Sequence, residues 1–181
     1  MSYNLPTVTE NKLSFGPGIV YLGVAGATPT TEVGAVEAAM TLTFKRVPMD
    51  LYQGGPKTLV KRVCVQEDVE VNFTGLELSL QNLQWALGAG ELTSDTLLEG
   101  GGDMDFDDLA LKFVHQMVSG GTVTVSLWRV NGAGEADMNF GEEWIKFPMK
   151  FIAQNATTDW ASQTLAAKKQ LYKIQYEAPP A

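Results

Sequence analysis

Two periods of apolar and polar positions mark out this chain. Along Ala39–Val47, Met40, Leu42 and Phe44 fall on one face, and Thr41, Thr43 and Lys45 on the other. This period of two predicts a half-buried strand. Strand character resumes over Lys57–Phe73, where Val69, Val71 and Phe73 alternate with polar positions such as Glu70. The period then changes: Leu76, Leu80, Leu83 and Leu87 recur at helical spacing, and Gly88 stands where a left-handed terminator would close a helix. Thr74 and Glu77 lie three residues apart, the capping-box spacing in which each side chain satisfies the other residue's free backbone N–H. A helix is therefore expected over about residues 75–87.

Breakers divide the rest. Pro48 to Pro56 turns, most clearly at Tyr52-Gln53-Gly54-Gly55-Pro56, so residues 48–63 are predicted to form a projecting loop. Gly16-Pro17-Gly18 leads into a short buried strand, Ile19-Val20-Tyr21-Leu22. Further strands are predicted at Leu109–Val118, Thr122–Val130, Trp144–Ala153 and Leu171–Tyr176, with Ser119-Gly120-Gly121 joining the first two as a hairpin. Gly26–Gly34, Ala89–Asp108 and Asn131–Glu143 read as loops, and Asp159–Lys169 as a helical turn or two. Residues 1–14 read as a polar N-terminal arm and residues 177–181 as a frayed tail. No internal repeat of fixed period is visible. The 181 residues are expected to form one mainly β domain carrying one helix.

Charge sharpens this picture. The balance of 13 basic against 21 acidic side chains gives −8, which argues against a phosphate-gripping protein. The charge is unevenly placed: Lys57, Lys61 and Arg62 make the start of the second strand basic, while its later half is acidic outside. A projecting tip would set that basic end against an acidic neighbouring subunit. An exposed loop without a partner is the alternative. The N-terminus lacks a basic region followed by an apolar segment, so no secretory signal is expected. No stretch approaches the roughly 18 apolar residues that a membrane span needs.

Candidate chemistry is sparse. Cys64, the single cysteine, sits in Val63-Cys64-Val65 and is expected to act as a small hydrophobe. His115, the single histidine, has no set of soft ligands for zinc and no Gly-x-Ser-x-Gly elbow to serve. Asp103, Asp105, Asp107 and Asp108 open like an EF-hand calcium loop, but the sixth position is Asp108 rather than glycine and the twelfth is Val114 rather than glutamate. A solvated acidic loop is expected there. Neither Gly16-Pro17-Gly18 nor Gly100-Gly101-Gly102 sits in a strand–loop–helix phosphate site. Trp85, Trp128, Trp144 and Trp160 read as core or interface anchors. No enzyme activity and no cofactor are expected.

Taken in order, these pieces resemble the major tail tube protein of bacteriophages with long, non-contractile tails. The resemblance runs from about Gly16 to Tyr176. It is carried by Gly18-Ile19-Val20-Tyr21-Leu22-Gly23, the Thr28–Gly34 loop, Met40-Thr41-Leu42-Thr43-Phe44, and Val69-Glu70-Val71-Asn72-Phe73-Thr74 leading to Gln84-Trp85-Ala86-Leu87-Gly88-Ala89-Gly90. The late Leu109–Val130 hairpin and the Trp144–Ala153 strand complete the order.

The resemblance implies a β-sandwich or partial barrel of the tail-tube type, flanked by the one helix. It implies rings, typically of six subunits, stacked into a hollow tube, with the virion tail as location and the host cytoplasm as the place of assembly. Implied partners are further copies of the chain, the tape measure protein, the tail terminator and distal tail or baseplate proteins. DNA would pass through the lumen without tight binding, and a ring of six at −8 per chain would repel it. Subunit contacts would then fall on Leu51, Tyr52, Gln53, Gly54, Gly55, Pro56, Lys57, Lys61 and Arg62. Other ring-forming tail proteins, of the terminator, completion or secretion-tube type, are the nearest alternative. A soluble ligand-binding β-sandwich with Trp128 as platform is a more distant one, and a metal-dependent enzyme at Asp103–Asp108 comes third.

Overall fold

The computed structural model describes residues 18–36, 40–77, 79–102, 104–118, 120–136, 138 and 146–179. The predicted N-terminal arm, the Gly16-Pro17 turn, Asp103, Ser119, Trp144 and the last two residues lie outside the described residues. Among the described residues, ten strands and one α-helix follow in chain order: β1 (Ile19–Val24), β2 (Thr31–Glu32), β3 (Thr41–Gln53), β4 (Thr58–Gly75), α1 (Leu80–Leu87), β5 (Glu91–Thr93), β6 (Leu97–Glu99), β7 (Leu109–Gln116), β8 (Thr122–Gly132), β9 (Phe147–Ala153) and β10 (Tyr172–Glu177). The mainly β expectation holds. No helix among the described residues is long and apolar enough to cross a membrane.

Eight strands form one antiparallel sheet in the order β2-β1-β7-β8-β9-β4-β3, with β10 also on β8. β8 is long enough to be shared end to end. Its Thr122–Leu127 portion takes β10, while Val130–Gly132 takes β9. Val20, Leu22, Leu111 and Leu127 from one wing share a buried cluster with Val71, Phe73, Phe147 and Phe151 from the other. The wings thus close over a common core. The chain beyond β2 ties their far ends together: Val33 N–H donates to Val20 O, Val36 bridges Gly75, and Leu76 N–H donates to Ala35 O.

The helix is shorter than expected and starts later. Thr74 and Gly75 are the last residues of β4, paired with Pro148 and Phe147, so the capping box does not form. Ladder hydrogen bonds to β9 outweigh the local cap. The Glu77 carboxylate instead accepts the Ala35 N–H at 3.2 Å. Ser79 occupies the N-cap without a side-chain hydrogen bond, and Leu76, outside the helix, is exposed. The other end follows the sequence: Gly88 is left-handed (φ 69°), and its N–H donates to Gln84 O at 2.8 Å. The buried Asn82 donates from Nδ2 to Val33 O at 2.8 Å, docking α1 on the β2 connection. A Cβ on Gly132 would collide with the carbonyl oxygens of Trp85 and Ala86, so glycine there lets β8 approach the helix backbone.

Other segments differ from expectation. Gly26–Gly34, read as loop, contains the two-residue strand β2, paired with β1. The connection after α1 contains the small β5–β6 hairpin, whose three-residue strands are too short for periodicity to reveal. Of the helical turn or two expected over residues 159–169, one forms, and it is a 3-10 turn. The Asp159 carboxylate accepts the N–H groups of Ala161 and Gln163, both at 2.9 Å, and Thr158 bridges Thr164, leaving only a 3-10 turn at Ala167–Lys169. The side chain thus offers the backbone an alternative to helix.

Candidate self-association surface

The predicted projecting loop is a paired ribbon. β4 contacts β9 only over Glu70–Gly75, whereas β3 and β4 stay paired from Thr41↔Asn72 out to Gln53↔Thr58. Beyond Glu70 the two strands therefore leave the sheet together as an arm. Its root is fixed by the Phe44 ring, 4.8 Å from that of Tyr172 on β10. Pro48, read from sequence as a breaker, lies within β3 at a register shift between Val47 and Pro48. An edge strand with a bulge tolerates the missing N–H. A second shift follows between Leu51 and Tyr52.

Cross-strand register gives the arm two faces, because directly paired residues point the same way. Arg46–Glu67, Pro48–Cys64 and Asp50–Arg62 share one face, where Arg46 Nη2 lies 2.7 Å from Glu67 Oε1 and Arg62 Nε lies 3.0 Å from Asp50 Oδ1. Val47–Gln66, Met49–Val63 and Leu51–Lys61 share the other. That second face carries two uncovered apolar side chains, Met49 at 58% exposed and Leu51 at 60%, beside the half-buried Val47 and Val63 and the polar Gln66 and Lys61. At the tip, Leu59, 52% exposed, pairs with Tyr52 on the first face, and Val60, 55% exposed, is the unpaired residue at the second register shift. Exposed apolar side chains thus gather at the outer end of the arm on both faces, as at an interaction site.

The predicted contact residues gather at this outer end. Leu51, Tyr52 and Gln53 finish β3, Gly54–Lys57 make the turn, and Lys61 and Arg62 lie on β4. Met49, Leu59 and Val60 belong with them and were missed. Their signal was apolar residues standing on both sides of a glycine-proline turn. Cys64, read as a small hydrophobe, is exposed on the arm, since no layer covers the ribbon there; its Sγ donates to Gln66 O.

Elsewhere the candidate chemistry resolves into packing. Trp128 is no exposed platform: it is buried, its Nε1 donates to Lys169 O at 2.9 Å, and Trp160 meets it edge-on at 5.0 Å. His115 is buried in β7 with its ring nearly parallel to that of Phe113. Asp108 pairs with Arg129 at 2.6 Å. The Arg129 hydrogen bond holds the Asp108 carboxyl below its ordinary range against opposing desolvation, with Asn131 assisting. Among the described residues, no three His, Cys, Asp or Glu side chains gather to hold a metal ion. The chain matches no protein-family model and no curated protein.

Proposed function

We propose that this protein is a self-assembling structural subunit of the virion, forming the tube of a long, non-contractile bacteriophage tail. The observation that carries the proposal is the arm: a two-stranded ribbon standing clear of the core, with Met49, Leu51, Leu59 and Val60 each more than half exposed. An isolated subunit leaves this surface in water, while a neighbouring copy would cover it. A mainly β body flanked by one helix agrees with the tail-tube resemblance read from sequence. In a stacked ring the acidic balance of −8 per chain would line the assembly with charge that repels phosphate, so that DNA slides.

The test is assembly itself. Purified protein, raised in concentration, is expected to form rings and then tubes of uniform diameter by negative-stain microscopy and sedimentation. Deleting Leu51–Pro56 removes the outer end of the ribbon and leaves the core strands intact. That variant is expected to remain a folded monomer. Normal tubes from it would remove the arm from the contact, and a full-length chain that stays monomeric at every concentration would remove the function.

A further inference from the structure

We propose that the arm of one copy docks on the acidic connection between α1 and β7 of the next copy, giving a head-to-tail contact. The proposal rests on self-association of the chain and identifies the surface that receives the arm. Residues 51–66 carry Lys57, Lys61 and Arg62 and no acid; Arg62 already meets Asp50, so Lys57 and Lys61 make the tip basic on a chain whose total is −8. The connection from Glu91 to Asp108 is the reverse, with acids throughout and no base. Glu91, Asp95, Glu99 and Asp107 are all exposed there.

Both surfaces also carry uncovered apolar side chains. The arm offers Leu51, Leu59 and Val60; the connection offers Met104, 93% exposed, with Phe106 and Leu97 about half exposed. A basic apolar finger and an acidic apolar seat complement one another in both respects. The seat is also held in shape. Asn131 Nδ2 donates to Asp107 O at 2.7 Å, and Asp107 N–H donates to Gly88 O at 2.6 Å.

The contact has to lie between copies. Asn131 pairs with Ile152 of β9, which pairs with Glu70 of β4, so the end of the seat that Asn131 holds, at Asp107, lies level with Glu70. The tip at Leu59 is eleven residues further out along β4, roughly 35 Å at about 3.3 Å per residue. A ribbon paired along its length does not double back over that distance. Because arm and seat are different surfaces of one chain, each docked copy still presents a free arm or a free seat. Such a contact propagates, closing into a ring or extending as a line.

A charge swap tests it. One variant carries Lys57→Glu and Lys61→Glu on the arm; the other carries Glu91→Lys and Glu99→Lys on the seat, which spares Asp95, whose backbone is left-handed (φ 55°). All four positions are exposed, so both variants are expected to melt near the temperature of the unmodified chain. Each alone sets like charges together, and its critical concentration for assembly is expected to rise about tenfold or more. Mixed in equal amounts, each acidic arm meets a basic seat and each basic arm an acidic seat. Light scattering and negative-stain microscopy are then expected to show assembly restored. If each variant assembles alone as the unmodified chain does, or the mixture stays monomeric, the pairing of these two surfaces is overturned while self-assembly stands. If the unmodified chain never assembles, self-assembly itself falls.

Discussion

The inner and outer halves of β4 are one strand with one hairpin partner, yet they live in different surroundings. Over Val69–Phe73 the alternation is fulfilled: Val69 and Val71 are fully buried, Phe73 nearly so, and Glu70 turns outward to meet Lys150 at 2.9 Å. Over Thr58–Gln66 the only side chain not exposed is Val63, which is half-buried. Apolar residues persist there as Leu59, Val60 and Val65, but β9 has ended and no layer covers them. Burial is thus a property of what lies over a strand and not of the strand's composition. Where apolar composition outruns its cover, the surplus belongs to an interface.

Truncation on either side of that divide tests it most severely. Phe151 is fully buried, and its ring stacks on Phe73 at 5.8 Å. Phe151→Ala is expected to cost about 3–5 kcal/mol, read from urea unfolding, because the lost contacts leave a cavity that the closed sheet cannot fill. Leu51→Ala on the arm is expected to change stability by less than about 0.5 kcal/mol while weakening assembly. Equal stability losses at the two positions would mean that the arm is packed on the body in solution.

Next in size is a contact on the body side of the divide that responds to pH. Asp108 is held below its ordinary pKa chiefly by the hydrogen bond from Arg129. A depressed carboxylate favours the folded state above the unfolded pKa of about 3.9, and that contribution disappears as pH falls through the folded value. Both side chains are about 40% exposed, so its size is at most about 1 kcal/mol. Asp108→Asn is expected to unfold more easily than the unmodified chain above pH 5, with the two converging below about pH 4. Parallel stability curves down to pH 3 would show that the Arg129 pair contributes nothing.

The divide also explains what could be read from sequence. Val69, Val71 and Phe73 were legible because one-sided burial writes a period of two. Gly88 was legible because its conformation admits few other residues. Thr74 and Glu77 misled because a capping box is local, while the fate of Thr74 was decided by Pro148, far along the chain. Pro48 misled in the opposite direction, since its missing N–H matters only where a neighbouring strand needs it. Cys64 could not be placed, as nothing in its own stretch says whether a second layer lies over it. For the same reason the arm's basic tip was visible, but its two faces were not. They depend on bulges after Val47 and Leu51 that shift the partner strand's alternation.

The smallest effect is expected on the arm's polar face. Arg46 donates from Nε and Nη2 to Glu67 Oε1, at 3.0 and 2.7 Å, yet the Arg46 side chain is 65% exposed. An exposed pair of this kind contributes about 0–1 kcal/mol, because water already solvates both charges and holding them together costs side-chain entropy. Arg46→Gln is therefore expected to leave thermal stability within a degree or two, roughly the shift that a few tenths of a kcal/mol produce in a chain of this size. Assembly should also change little, since Arg46 lies on the face opposite Met49 and Leu51 and well inboard of the tip. A loss of assembly as large as that of Leu51→Ala would assign the contact to the salt-bridged face and leave the face of Met49 and Leu51 to solvent.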